Sequence, residues 1–136
     1  MRRFIRKDKT VDYQEVMKTA AEAAFDKKST RLVGLDLRGH SDICDWQLIC
    51  SGENDRQTRA IADSIEDALR KKWNLRPVAI EGKQSGHWVL IDYGTIMIHV
   101  FFDYLRDYYG LEELFSKAKF IDFKAPAPIA AKPVQA

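Results

Sequence analysis

The sequence predicts an α/β domain with a five-stranded mixed sheet flanked by helices. Its 136 residues suit one domain, and 46% hydrophobic with 31% charged residues is the balance of a globular protein. Hydrophobic periodicity gives the order helix, two strands, helix, three strands, helix. Because the second helix must cross over between strands that no tight turn can join, the sheet is expected to be mixed and covered by helices.

Capping residues and apolar spacing predict three helices. The first begins at Asp12, whose side chain can cap it while Glu15 completes a capping box, and it ends near Lys28. The second begins after Asn54, again with a partner three residues on at Gln57. Its apolar stripe consists of Ile61, Ile65, Ala68, Leu69 and Trp73. The third is expected over residues 103–115, with an apolar side formed by Leu105, Tyr108 or Tyr109, Leu111 and Leu114.

Short apolar runs bounded by polar residues and glycine predict the five strands. The first two cover residues 30–37 and 44–51. Pro77 limits the third strand, residues 78–81, to a position near a sheet edge or start. Residues 82–86 then form a loop, and Gly94 separates residues 87–93 from 95–102 as a hairpin.

The charge is unevenly distributed along the chain. Residues 1–31 carry nine basic and five acidic side chains and residues 116–136 carry four and one, whereas residues 32–115 carry nine and 14. An acidic body disfavours sequence-specific RNA binding by the sheet and suits a basic protein partner. We divide the chain into a basic arm (1–11), a domain (12–123) and an Ala/Pro-rich tail (124–136) expected to be disordered.

The two strands of the hairpin predict one apolar face and one mixed face. A two-residue turn at Tyr93-Gly94 would pair Asp92 with Thr95, Leu90 with Met97 and Trp88 with His99. The core face is then Val89, Ile91, Ile96, Ile98, Val100 and Phe102. The mixed face is Trp88, Leu90, Asp92, Thr95, Met97, His99 and Phe101, a composition that suits a binding surface. Two alternatives stay open: the last helix covers this face, or a three-residue turn sends Trp88 to the other face.

No catalytic or cofactor motif is found. Asp42 and Asp45 are three residues apart, so they point to different sides of an extended strand and cannot form the paired metal site of a nucleotidyltransferase. The three histidines lack a zinc spacing, and Cys44 and Cys50 are expected to be buried free thiols. The absence of an apolar run near the ~20 residues of a membrane span, together with the lack of a secretory signal, predicts a cytoplasmic protein without a membrane partner.

Six segments in order resemble the ribosomal silencing factor family, also called Iojap-like. They are SDICDWQLICSG (41–52), Arg56-Gln57 with Ile61-Ala62, Glu81-Gly82, WVLIDYG (88–94), IHVF (98–101) and RDYYGLEEL (106–114). The resemblance covers residues 12–115. Phe115 stands where family members often have tryptophan, and the Ala/Pro-rich tail lies outside the family pattern.

The resemblance implies a non-catalytic domain, similar in fold to nucleotidyltransferases but without their active site and without a cofactor. Such a protein binds the fourteenth L-series protein of the large ribosomal subunit, blocks joining with the small subunit and lowers translation when nutrients are short. By position, the implied contact residues are Trp88, Asp92, His99, Tyr108 and Glu112. With the mixed hairpin face, the predicted partner-binding set is Trp88, Leu90, Asp92, Met97, His99, Phe101, Tyr108 and Glu112.

Two other functions remain as alternatives. An RNA-binding ribosome-assembly module would use the basic termini and lose affinity steeply with salt. A degenerate nucleotidyltransferase would be stabilised by Mg²⁺ and a nucleotide. An exposed apolar face could also form a homodimer when the protein is free.

Overall fold

A computed structural model describes residues 11–125, which form a six-stranded sheet and four helices. In chain order the elements are α1 (Tyr13–Asp26), β1 (Thr30–Asp36), β2 (Trp46–Gly52), α2 (Asp55–Trp73), β3 (Ala79–Glu81), β4 (Trp88–Asp92), β5 (Ile96–Phe102), α3 (Asp103–Tyr109), α4 (Leu111–Leu114) and β6 (Lys119–Asp122). Most of the predicted basic arm and tail lies outside the described residues.

The two long helices begin where their capping residues predict. The Asp12 carboxylate accepts hydrogen bonds from the backbone N–H groups of Gln14 and Glu15 at the start of α1. The Asn54 side chain accepts one from Gln57 N–H at 2.8 Å at the start of α2. Both predicted helix starts are confirmed.

The sheet is mixed, as predicted, but it has six strands and not five. The strand order is β3-β4-β5-β2-β1-β6, in which only β2 and β5 run parallel. The additional strand, β6, pairs antiparallel with β1, where Ile121 lies opposite Gly34. The predicted short strand β3 lies at the other sheet edge, which confirms its placement.

The two faces of the sheet are covered to different extents. On one face α1 and α2 enclose the main core, and five of the six predicted core residues of the hairpin are fully buried there, with Phe102 only partly buried. On the other face a smaller core forms around Leu35, Ile49 and Phe101, packed against Leu111 and Phe115. The short α3 and α4 segment therefore covers only part of this second face.

The predicted single helix over residues 103–115 is wrong in one respect. Gly110 has a φ of 59° in the left-handed region and ends α3, and the shorter α4 starts at the next residue. A left-handed residue cannot continue a right-handed helix, and glycine adopts it without the strain of a Cβ. The break changes the direction of the chain and so decides which side chains return to the sheet.

Candidate partner-binding surface

The β4–β5 hairpin has the predicted faces but a different register. Trp88 pairs with Phe101, Leu90 with His99 and Asp92 with Met97, a shift of two residues from the predicted pairs. The turn lies at residues 94 and 95, since Tyr93 N–H donates to the Ile96 carbonyl at 3.0 Å. Because side chains alternate with a period of two, this shift leaves every strand residue on its predicted face.

The helices cover the mixed face at one end only. Phe101 is fully buried and His99 is 5% exposed, so these two predicted binding residues lie beneath the surface and not on it. Leu90, Asp92 and Met97 are only partly buried, toward the end of the hairpin where the strands turn. The Asp92 carboxylate accepts a hydrogen bond from Gly94 N–H at 2.8 Å.

Trp88 lies at the boundary between the covered and the open parts of this face. Its ring is partly buried, with its centroid 4.9 Å from that of Phe101 and 4.6 Å from that of Tyr109. The indole Nε1–H donates to Nδ1 of His99 at 3.1 Å. The predicted outward-facing indole is thus neither sealed in the core nor free: one side is packed and its polar atom is used internally.

Gly82 fixes the backbone beneath Trp88. It has a φ of +88°, and a Cβ at this position would lie 1.9 Å from the Trp88 carbonyl oxygen. A side chain is therefore excluded both by conformation and by space. The loop before β4 therefore packs directly against the strand that carries the indole.

Two tyrosines of α3 extend the aromatic surface outward. Tyr109 is 46% exposed and covers Trp88, while Tyr108 is 81% exposed and meets Tyr109 edge-on with centroids 5.2 Å apart. We call Trp88, His99, Phe101, Tyr108 and Tyr109 the aromatic cluster. Large aromatic groups with exposed outer members are enriched in protein interfaces.

A buried ion pair holds α3 and α4 on the sheet. Arg106 is 2% exposed, and its Nε and Nη2 both donate to Glu112 Oε2, at 3.1 and 2.7 Å. Its Nη1 donates to the Ser51 hydroxyl on β2 at 2.9 Å. Glu112, predicted as a partner contact from the resemblance, therefore already has an internal partner across the break at Gly110.

A second arginine holds α3 from the side. Arg31 lies where the β1–β2 pairing is irregular, with a φ of 52°, and donates to Asp103 at 2.8 Å and Asp107 at 2.7 Å. The hydrogen bond from Arg31 lowers the pKa of the Asp107 carboxyl. Side chains from two strands, Ser51 and Arg31, thus contact α3, the helix that carries Tyr108 and Tyr109.

Two buried titratable groups on this side of the molecule, His99 and Cys44, are kept neutral. Burial lowers the pKa of His99 to about 4 and raises that of Cys44 to about 11. Cys44 and Cys50 are buried free thiols, as predicted. Within residues 11–125 no three His, Cys, Asp or Glu side chains are grouped as a metal site, and no helix is long and apolar enough to cross a membrane.

Sequence reasoning missed the side chains that organise this surface. It did not identify Arg106, Ser51 or Arg31, and it treated Tyr109 only as an alternative core residue of the helix. The one available signal was a lone arginine among the apolar positions of the last helix, followed by a glycine and two glutamates. The structure brings Trp88, His99, Phe101 and Tyr109 together, whereas Leu90, Asp92 and Met97 lie next to them toward the turn of the hairpin.

The fold is an α/β domain whose second sheet face has a partly exposed aromatic cluster. A family model described as "Ribosomal silencing factor during starvation" matches residues 10–136, a range that includes the tail predicted to lie outside the family pattern. The ribosomal silencing factor RsfS of Bacillus subtilis is 36% identical over 112 residues, which is 82% of this chain and 94% of that protein. The chain therefore belongs to the ribosomal silencing factor family.

Two further similarities concern the fold and a eukaryotic relative. A crystal structure of a Chromobacterium violaceum protein has a TM-score of 0.74 and 32% identity, covering 90% of this chain and 100% of that one. A Mus musculus protein named "Mitochondrial assembly of ribosomal large subunit protein 1" is 31% identical over 80 residues, covering 57% of this chain and 35% of the mouse protein.

Proposed function

We propose that the protein binds the large ribosomal subunit through its fourteenth L-series protein and blocks joining of the small subunit. It lowers translation in the cytoplasm when nutrients are limiting, and it does so without catalysis. Family membership supports action on the ribosome, and the name of the mouse relative points to the large subunit. The partner protein and the blocking mechanism are inferences from the resemblance and from the surface.

The observation that carries this proposal is the aromatic cluster with its exposed outer members. Tyr108 is 81% exposed and packs on Tyr109, which covers the partly buried Trp88, and Leu114 of α4 is a further exposed apolar residue, 71% accessible. Exposed aromatic and aliphatic groups on a rigid support are the usual anchors of protein interfaces. Here Arg106 and Arg31 supply that support.

The charge of the segment that contains α3 and α4 favours a basic partner. Residues 103–115 carry four acidic side chains and one arginine, and that arginine is buried against Glu112. Exposed acidic groups such as Glu113 would attract a basic ribosomal protein and raise the rate of encounter. The apolar contacts would then set the lifetime of the complex.

Inhibition of subunit joining would be steric. A 15.7 kDa protein that docks where the subunits must touch needs only a standard interface of about 1,200 to 2,000 Å² to exclude a much larger partner. In this proposal the fold is related to nucleotidyltransferases that have lost their active site. Asp42 and Asp45, both exposed before β2, do not form the paired carboxylates that such chemistry needs.

The proposal is tested by sedimentation of purified ribosomal subunits with and without the protein. The wild type should move with the large subunit and prevent formation of joined ribosomes. Tyr108→Ala should weaken binding about tenfold with an unchanged melting temperature, because this side chain is almost free of internal contacts. Trp88→Ala should lose about 2 kcal/mol or more of binding while the domain stays folded.

Phe120→Ala is the matched control. Phe120 is an exposed aromatic residue, 43% accessible, on the edge strand β6, which three strands separate from β4. It should bind as the wild type does. Free joining of the subunits in excess protein would refute the proposal. Binding that is unchanged by Tyr108→Ala but weakens steeply with salt would indicate RNA contact through the basic termini.

The same surface is the candidate for self-association. If the free protein forms a homodimer through the aromatic cluster, dimerisation and ribosome binding would compete for one site. Light scattering of the wild type and Tyr108→Ala across concentrations measures this directly. A dimer that persists unchanged in the variant would place the contact elsewhere.

A further inference from the structure

The bond between Trp88 and His99 is unusual because it uses the polar atom of a surface residue internally. The indole Nε1–H points to Nδ1 of His99 at 3.1 Å, although Trp88 lies at the edge of the exposed face. His99 is 5% exposed and stacks on Phe101, with an interplanar angle of 12°. The acceptor is therefore built into a rigid part of the sheet.

This arrangement fixes the tautomer of the imidazole. Because Nδ1 accepts a hydrogen bond, the proton of the neutral ring must lie on Nε2. Nε2 is buried and has no hydrogen-bond partner within residues 11–125. An unpaired buried donor is unfavourable. The imidazole bears this cost at Nε2, while its Nδ1 accepts the hydrogen bond from the indole.

We propose that His99 is a positioning residue for partner recognition: it turns the only polar side-chain atom of Trp88 inward, so that the indole offers only carbon to the partner. The partner group that fits is then apolar, such as an aliphatic or proline side chain, and not a hydrogen-bond acceptor. This inference rests on the proposed function, since it concerns the same surface. It differs from a direct contact because His99 acts through Trp88 and lies beneath it.

The test compares two replacements of His99 that are isosteric with each other. Asn and Leu have the same branching and leave a similar space, but only His99→Asn places an acceptor near the former Nδ1. Both variants lose the same packing, so a merely space-filling histidine predicts that they behave alike. A positioning role predicts that His99→Asn retains, and His99→Leu loses, the orientation of Trp88.

The first measurement is the indole N–H resonance of Trp88 in ¹H–¹⁵N spectra of the free protein, assigned with Trp88→Phe. In the wild type and His99→Asn it should lie downfield and exchange slowly with solvent. In His99→Leu it should move upfield and exchange at least tenfold faster. The indole of Trp73, which donates to the Thr19 hydroxyl at 3.0 Å, is the internal control and should not change.

The second measurement is affinity for purified large subunits. His99→Leu should bind at least about fivefold more weakly than His99→Asn, which keeps an acceptor for the indole N–H. Equal resonances or equal affinities for the two variants would overturn the inference. If the wild type itself does not bind the subunit, the proposed function fails, whereas the indole resonances still decide whether His99 orients Trp88.

Discussion

Replacing Glu112 with alanine is expected to destabilise the free domain by about 3 kcal/mol. The change leaves the guanidinium of Arg106, whose side chain is 3% exposed, with the Ser51 hydroxyl as its remaining partner. Removing one member of a buried ion pair costs about 3 to 5 kcal/mol, because an uncompensated charge stays in a region of low dielectric. The lower end applies here because 27% of the Glu112 side chain is already exposed to water.

The assay is thermal and urea unfolding, with Glu113→Ala as the matched control. Glu113 is the exposed neighbour, and the substitution removes the same atoms from a side chain in solvent. For a domain of this size we expect Glu112→Ala to lower the melting temperature by roughly 10 °C and Glu113→Ala by less than about 2 °C. Adding Arg106→Met to Glu112→Ala should restore much of the loss, because it removes the unpaired buried charge.

Equal melting temperatures for the Glu112 and Glu113 variants would refute this reasoning. The ion pair would then contribute nothing to holding α3 and α4, and Glu112 would be left with the partner contact that the family resemblance implies. A double variant no more stable than Glu112→Ala would show that the loss came from packing and not from the unpaired buried charge of Arg106. Neither measurement requires the ribosome.

Two further predictions concern residues around Trp88. Burial lowers the pKa of His99 from 6.5 to about 4, so between these pH values the unfolded chain binds a proton that the folded domain does not. The free energy of unfolding should therefore fall by about 3 kcal/mol as the pH drops through this interval. His99→Leu should lack this contribution to the pH dependence of stability. Gly82→Ala should cost more than about 3 kcal/mol, because its Cβ would meet the Trp88 carbonyl, whereas Gly110→Ala, with 3.7 Å of space at a φ of 59°, should cost about 1 kcal/mol. Urea denaturation separates the two glycine variants, and equal losses would contradict the steric argument.

Features set by neighbouring residues could be predicted from the sequence. The caps at Asp12 and Asn54 are patterns of four consecutive residues, and the stripe of α2 repeats with the helical period. The two faces of the hairpin also followed from alternation alone. The exact turn did not, because moving it from Tyr93-Gly94 to Gly94-Thr95 changes every cross-strand pair but leaves both faces as they were.

Features that depend on distant contacts could not be predicted. β6 contains only two large apolar residues among charged ones, and it becomes a strand because β1, far away in the chain, offers it an edge. An arginine in an acidic helix indicates a surface position, yet Arg106 is buried once Gly110 turns Glu112 back toward it. The partial covering of Trp88 by Tyr109 could not be predicted for the same reason, because it is a contact between residues that are distant in the sequence.

The proposed binding surface thus depends on polar bonds below it as well as on the side chains that a partner would touch. The Arg106–Glu112 pair sets the position of α3, and His99 sets the orientation of Trp88. Substitutions at Glu112 or His99 would weaken binding even if neither side chain met the partner, so a binding assay alone would assign both to the interface. Tyr108 has few internal contacts to lose, and its substitution is the one that reports on the interface without altering the support beneath it.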